Sequence, residues 1–277
     1  MAGMNSTRRK LAISTWAAPS EGNIFGKLVL DATELQPFID HVRATTGEKV
    51  TVTHLVGKAI ALALAKAPSL NGRILFGRYE PFETVDVTYL VALDDGADLA
   101  KVKICHMDRR PVEDVARELR ARAEKLRKGQ DAEFEKSKGM LRVLPSFVLR
   151  PLLFAIGWVT AALGVEVKAL GLEAFPFGSC IITSVGMLGI DEGFAPFTPF
   201  ARVPLMILVG AVRVEPAVVD GQVVARAQLT ITATVDHRFV DGFQLGTLAK
   251  VVRDVLENPW QLLADGKPTQ ALSRDAA

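Results

Sequence analysis

The sequence predicts an α/β or α+β fold in which strands and helices form a layered domain. Strand-like and helix-like segments alternate along nearly the whole chain, and no Gly-rich phosphate loop or internal repeat interrupts them. This alternation favours a layered domain and argues against Rossmann and P-loop folds. With 277 residues, 49% of them hydrophobic, we expect a single domain (residues 1–277) with a large core or a buried oligomer interface.

Composition narrows the classes of function. The formal net charge is +2, and no basic stripe with interleaved aromatic residues is present, so a nucleic-acid partner is not expected. Cys105 and Cys180 stand alone without metal-ligand or redox spacing, so we expect no metal site and two reduced core thiols. The N-terminus lacks the long apolar core of a signal peptide, and a cytoplasmic protein is expected.

The first part of the chain alternates in the order strand, helix, helix. Residues Asn23–Leu30 have the pattern of a strand, and Asp31 with Glu34 resembles a capping box at the start of an amphipathic helix. Thr53 is the expected cap of a second helix, His54–Ala67. This second helix is apolar nearly all round, which predicts that it is buried.

The middle of the chain contains two strand patterns and one helix. Val85–Leu93 is expected to be a strand, and Leu99–Ile104 a weaker one. Pro111 suits the first turn of a third helix, and Gly129 closes it. The charged face of this helix is most simply a solvated surface.

An apolar segment at about residues 141–175 is expected to be a helical insert. Its densest part, residues 143–165, is rich in Leu, Phe and Trp, but Arg150 and Pro151 interrupt it. A membrane-spanning helix needs about 20 apolar residues, and the uninterrupted run here is shorter. Three interpretations stay open: a buried or oligomer-facing helix, which the pattern favours, a helix on a membrane surface, and a true membrane span.

Strand patterns return after the insert. Gly178–Ser184 and Met206–Val212 are expected strands, and Ala217–Val219 with Gln222–Ala225 forms an expected hairpin. The dipeptide Asp220-Gly221 between the last two segments is a strong hairpin-turn signal.

The most informative segment joins a strand pattern to an amphipathic helix. Apolar residues alternate with threonines from Leu229 to Val235, and apolar residues recur at helical spacing from Leu245 to Leu256. Between them, residues 236–242 read DHRFVDG. The junction places the imidazole of His237 at the end of a strand, with the carboxylate of Asp241 four residues later. Such an arrangement can hold a general base and points to thiol or alcohol acyl transfer.

Residues 236–242 resemble the HxxxDG signature of CoA-dependent acyltransferases, in the DHRxxDG form of the dihydrolipoamide acyltransferase core of 2-oxo acid dehydrogenase complexes. Residues 181–191 are similar to the TISNLG-x-x-G segment of that family, and Val209-Gly210-Ala211 follows in the family's order. The resemblance covers nearly the whole chain except residues 141 to about 175. It implies the two-layer α/β sandwich of the chloramphenicol-acetyltransferase-like fold.

The resemblance also implies partners and cofactors. It implies CoA as a substrate and a homotrimer, or a larger assembly built from trimers, with active sites between subunits. No lipoyl or peripheral-subunit-binding domain is visible ahead of the core, so a lipoyl group is expected only in trans, on a separate carrier protein. Membrane-surface contact through residues 143–165 is not favoured.

The resemblance assigns His237 as the general base that takes a proton from a thiol. A thiol has a pKa near 8.5, so it needs such a base to attack a thioester near neutral pH. Asp241 is implied to orient the loop through an ion pair with an arginine of the N-terminal arm, Arg8 or Arg9.

Stabilisation of the tetrahedral oxyanion is assigned by resemblance to the hydroxyl of Thr183, with Ser184 as the alternative. Adjacent side chains on a strand point to opposite faces, so only one of the two can face the site. Ser184 and Gly242 are the expected contacts to CoA.

Two other classes of function stay open. The first is a catalytically silent trimeric scaffold with the same fold. The second is an amine or alcohol acyltransferase, although such enzymes usually carry His at the position of Asp236.

Overall fold

The computed structural model describes residues 22–93, 98–131, 139 and 144–263, which form two layers. The main sheet consists of β1 (Asn23–Asp31), β4 (Val87–Leu93), β5 (Asp98–Ile104), β6 (Cys180–Ser184), β7 (Leu205–Val219) and β8 (Gln222–Asp236). A separate hairpin consists of β2 (Gly72–Leu75) and β3 (Arg78–Pro81). The α-helices of the described part are α1 (Leu35–Thr46), α2 (Val52–Lys66), α3 (Val112–Arg127), α4 (Ser146–Gly157) and α5 (Gly242–Glu257).

The six strands lie in the order β1-β8-β7-β6-β4-β5. Strand β6 pairs in parallel with β4 and β7, and the other neighbours are antiparallel. Asp220 and Gly221 form the turn between β7 and β8 with φ of 52° and 80°, which confirms the predicted hairpin. Two short strands were expected before the turn and two after it, and this division is wrong. The structure has one continuous strand of 15 residues on each side, β7 and β8. The residues between the expected strands, 213–216 and 226–228, in fact continue the pairing, from Arg213 opposite Gln228 to Pro216 opposite Ala225.

Helices α1, α2, α3 and α5 cover one face of the sheet, and α2 is buried among them as its all-round apolar pattern predicts. Gly57 allows this close packing, because a Cβ atom there would lie 1.8 Å from the hydroxyl oxygen of Tyr89. Both cysteines are free, as expected, but only Cys180 is in the core. Cys105 is half-buried, since it follows the last residue of β5.

Both predicted helix caps are corrected by the structure. Asp31 accepts a hydrogen bond from the backbone of Thr33 at 2.9 Å, and no side-chain cap closes the start of α1, so the capping box is wrong. The second helix begins two residues earlier than predicted, with Thr51 as its cap instead of Thr53. A reciprocal bond from the backbone N–H of Thr51 to Nδ1 of His54, 3.0 Å long, completes this cap.

The apolar insert is helical over α4 and continues as a π-helical turn through Trp158–Ala162; residues 141–143 lie outside the described residues. It is tied to the β2–β3 hairpin, because Arg73 donates to the carbonyl of Ala162 at 2.7 Å and Phe76 packs on Trp158. Several of its large apolar side chains remain exposed on the single chain, including Phe147 at 80%. Among the described residues, no helix is long and apolar enough to cross a membrane.

The cap of α2 generates a prediction about pH. Burial, with a smaller contribution from the charge of Arg43, lowers the pKa of His54 to about 4. The folded state disfavours protonation of His54, so the neutral imidazole contributes to stability. This contribution is complete above the unfolded pKa near 6.5 and is lost as the pH falls toward 4. We expect the free energy of unfolding to decrease by about 2 kcal/mol from this residue between pH 7.5 and pH 5.

Urea unfolding at both pH values measures the effect, and His54→Gln is the matched variant. Glutamine can take the same position in a capping box but does not titrate, so the variant should show a smaller loss of stability at pH 5. An equal loss in the variant and the wild type would contradict the assignment to His54.

Candidate active site

The DHRFVDG segment forms the turn between β8 and α5. The backbone N–H of His237 donates to the carbonyl of Gly22 at 2.8 Å, which ties the turn to the residue before β1. Phe239 and Val240 are buried in the core and anchor the other end of the turn. The side chain of His237 between these anchors is exposed at the rim of the sheet. The local sequence therefore presents one imidazole to the outside from a fixed backbone.

Asp236 and Arg238 form an ion pair around the candidate base. The guanidinium of Arg238 donates from Nε to both carboxylate oxygens of Asp236, at 3.0 Å each. This hydrogen bonding raises the pKa of Arg238. Arg202 lies close enough that its pKa is lowered, first by burial and then by the charge of Arg238. Arg238 is therefore paired with Asp236, and Arg202 adds a second positive charge on this side of the turn.

Asp241 is the N-cap of α5. Its Oδ1 atom accepts from the backbone N–H groups of Phe243 at 2.9 Å and Gln244 at 3.4 Å, and the side chain of Gln244 accepts from the backbone of Asp241 at 2.9 Å. This capping box fixes the end of the turn and stabilises the helix start. The arginines expected to pair with Asp241, Arg8 and Arg9, lie outside the described residues.

Thr183 and Ser184 lie at the end of β6 on opposite faces. Ile182 belongs to the core beneath the helices, whereas Ile181 packs in a second apolar cluster on the other face. Strand alternation then places Thr183 on the face with Ile181 and Ser184 on the helix-covered face. Both side chains are half-buried.

A loop crosses the face that carries Thr183. The hydroxyl of Thr234 donates to the carbonyl of Ala195 at 2.8 Å, and Thr232 makes a similar bond to the carbonyl of Gly193. These threonines alternate with the apolar residues of β8, and that pattern predicted a strand. No sequence pattern near them indicated that their hydroxyls bind a loop. The second apolar cluster lies beneath this loop.

The structure does not bring Thr183 and His237 together within one chain. Thr183 lies opposite Leu208 of β7, which lies opposite Thr232 of β8. His237 is five residues beyond Thr232, so the two candidates are separated by about 10 Å across the strands and about 16 Å along them, or about 19 Å in total. Within one chain, the two side chains therefore do not meet at one reacting group.

Tyr79 is a neighbour of the site that the sequence did not indicate. Its ring packs edge-on against Phe239, with centroids 6.3 Å apart, so the β2–β3 hairpin supports the turn that carries His237. Burial raises the pKa of Tyr79. The hairpin thus links the turn to the insert, since Phe76 at its tip contacts Trp158.

Comparison with known proteins gives a family match on both sides of the insert. The model of the family described as 2-oxoacid dehydrogenases acyltransferase (catalytic domain) matches residues 26–143 and 162–264. The unmatched residues between them contain all of α4.

Curated relatives are longer than this chain. A probable dihydrolipoyllysine-residue succinyltransferase component of the 2-oxoglutarate dehydrogenase complex from Schizosaccharomyces pombe is 33% identical over 107 residues, which is 37% of this chain and 23% of that protein. A dihydrolipoyllysine-residue acetyltransferase component of the pyruvate dehydrogenase complex from Staphylococcus epidermidis is 25% identical over 249 residues, which is 86% of this chain and 47% of that protein. The chain thus spans less than half the length of these relatives.

Solved structures show the same fold. A probable dihydrolipoamide acetyltransferase from Listeria monocytogenes superposes with a TM-score of 0.66 at 17% identity, covering 95% of this chain and 92% of that one. The cubic core of the pyruvate dehydrogenase multienzyme complex gives 0.65 at 20% identity, covering 92% and 88%. The dihydrolipoamide acetyltransferase of Azotobacter vinelandii gives 0.64 at 21% identity over the same shares. The predicted two-layer acyltransferase fold is confirmed.

The capping role of Asp241 can be separated from a role of its charge. We expect Asp241→Ala to lower the free energy of unfolding by about 1 kcal/mol, because two backbone N–H groups of α5 lose their acceptor. Asp241→Asn keeps a capping oxygen and should remain close to the wild type in urea unfolding. Equal destabilisation by both variants would show that the charge, and not the cap, stabilises the turn.

Proposed function

Because the chain belongs to the acyltransferase (catalytic domain) family of the 2-oxoacid dehydrogenases, we propose that it moves an acyl group between CoA and a thiol. The acceptor is a dihydrolipoyl group on a separate protein, and CoA is a substrate rather than a resident cofactor. The observation that carries this proposal is the exposed imidazole of His237, held at a fixed strand-to-helix turn inside the matched region. A solved relative from Azotobacter vinelandii was studied for the catalytic roles of a serine, a histidine and an asparagine.

His237 acts as the general base in this proposal. The imidazole takes the proton of the attacking thiol, and the thiolate forms a new bond to the thioester carbonyl carbon. The tetrahedral intermediate carries its negative charge on oxygen, which the hydroxyl of Thr183 stabilises by donating a hydrogen bond. The intermediate then collapses, the original carbon–sulfur bond breaks, and the leaving thiolate receives the proton from the imidazolium.

The remaining candidates position the reacting groups. Asp241 holds the turn that carries His237, which agrees with its place in the cap of α5. Gly242 and Ser184 are proposed to contact CoA. A Cβ atom at Gly242 would meet no heavy atom within 4 Å, so the position beside Asp241 has open space for a ligand.

The site is composed of two chains in a homotrimer. The separation of about 19 Å between Thr183 and His237 in one chain supports this, because adjacent subunits can bring the two together where one chain cannot. A cubic core of a pyruvate dehydrogenase complex has the same fold, which supports an assembly built from trimers. In this proposal Thr183 therefore faces His237 of the adjacent subunit, not His237 of its own chain.

Domain organisation and location complete the proposal. Residues 1–277 form a single catalytic domain, and the segment at about 141–175 is an insert facing other subunits, which the break in the family match supports. Two free thiols, at Cys105 and Cys180, support a cytoplasmic location.

The proposed catalytic roles predict graded losses of activity. With acyl-CoA and free dihydrolipoamide, we expect His237→Gln to lower kcat by at least about 10³-fold. Thr183→Val removes the oxyanion donor and should lower kcat by about 10²-fold, whereas Thr183→Ser keeps a hydroxyl and restores most of the rate. CoA release followed with a thiol reagent measures both effects, and His41→Gln on α1 is the control for loss of a histidine outside the site.

Three results of this assay would contradict the proposal in different ways. Equal rates in His237→Gln and the wild type would show that His237 is not the general base. Release only with an amine or alcohol acceptor would indicate the other transferase class. No release from any donor by an assembled protein would indicate a scaffold.

The two-chain site predicts complementation. Inactive His237→Gln and Thr183→Val chains, dissociated and reassembled together, should regain activity, because an intact His237 then meets an intact Thr183 at about one quarter of the interfaces. Each variant reassembled alone is the control. If mixed and unmixed preparations are equally inactive although assembly is complete on sizing, the two residues act within one chain or not at all.

A further inference from the structure

A partly open cavity of about 150 Å³ lies between the sheet and α5. Strands β1 and β8 form its floor, and α5 and α2 form its walls. Its lining is almost entirely apolar and includes Ile24, Ile60, Val235, Leu245, Ala249 and Val252. Protein interiors are normally packed to the density of organic crystals, so an apolar space of this size is unusual.

The lining residues Val235 and Leu245 lie on the two sides of the turn that carries the candidate base. Val235 is two residues before His237, a distance of about 7 Å along the strand, and its partner Ile24 on β1 lines the same end. Leu245 lines this end from α5, four residues after the cap Asp241. From there the lining continues along α5 to Val252, about 10 Å further at 1.5 Å per residue.

The apolar lining of the cavity favours an uncharged ligand such as a hydrocarbon chain. Lys27 contributes to the wall, but its ammonium group is paired with Glu192. Gly26 in the floor leaves space, since a Cβ atom there would meet no heavy atom within 4 Å. An apolar cavity of about 150 Å³ can hold a molecule the size of benzene, so this one has room for about six carbon atoms.

We propose that this cavity binds the acyl chain of the substrate, which makes the protein a short- to medium-chain acyltransferase with a preference for about four to six acyl carbons. The assignment rests on the proposed function, because His237 must lie beside the thioester carbonyl for the chain to enter between Val235 and Leu245. The acyl group then extends along α5 beneath β1, away from the sulfur that accepts it.

Acyl-CoA thioesters from acetyl to decanoyl, with dihydrolipoamide as acceptor, test the proposal. In the wild type, kcat/KM should be highest for butanoyl- or hexanoyl-CoA. Ala249→Leu fills the cavity and should lower the ratio of hexanoyl to acetyl kcat/KM at least about tenfold, because a pocket discriminates by single methylene groups. Lys250→Leu places the same side chain on the next, exposed position of α5 and should leave the ratio as in the wild type.

A ratio unchanged by Ala249→Leu in a folded protein would overturn the proposal. If that variant does not fold, Leu245→Ala enlarges the end next to His237 and should move the preference to longer chains, and an unmoved preference would also overturn it. If no thioester is consumed at all, the proposed function fails. A binding measurement then tests the cavity separately. Thermal stabilisation of the wild type that is greater with hexanoyl-CoA than with acetyl-CoA, and equal in Ala249→Leu, would support the site; equal stabilisation by both thioesters would overturn it.

Discussion

The structure depends on the register in which β8 pairs with its two neighbours. Val235 lies opposite Leu205 of β7 and Ile24 of β1, so the strand is fixed on both sides almost to its last residue. Side chains on a strand alternate with a period of two, and a slip by one residue would exchange the faces of β8. The same register determines where the strand stops and where His237 leaves the sheet. The position of the candidate base is therefore a property of the central sheet and not of a flexible loop.

Features that arise from neighbours in the chain could be predicted from the sequence. The alternation of Leu229 to Val235 indicated a strand, and the structure places it in β8 between β1 and β7. The turn at Asp220-Gly221 could be predicted because few residues other than Asp, Asn and Gly adopt the left-handed conformation at both positions. The junction around His237 could be predicted for the same reason, because strand alternation before it and helical spacing after it are both local patterns. The structure places this junction between β8 and α5.

Features that depend on unusual residue types or on distant contacts could not be predicted in the same way. The β2–β3 hairpin turns at Phe76 and Gly77, and Phe76 has a positive φ of 49° that its residue type does not suggest. The cap of α2 uses His54 where glutamate or glutamine is usual, so the pattern placed the cap too late. The separation of Thr183 from His237 depends on strand order, which no local pattern contains. The first two misses come from residue types that are unusual at these local positions, and the third comes from the tertiary fold.

The exposed aromatic residues of α4 and of the π-helical turn that follows it have a consequence for how the chain matures. Phe147 is 80% exposed, and Phe154 and Trp158 are 39% and 44% exposed on the single chain. Contiguous apolar surface of this kind is rare on monomers and favours association. A newly synthesised chain would expose it until a partner covers it, so folding and assembly would compete with aggregation and proteolysis. The yield of native protein in a cell would then depend on how quickly chains meet, and a low rate of synthesis would leave more of them to quality control.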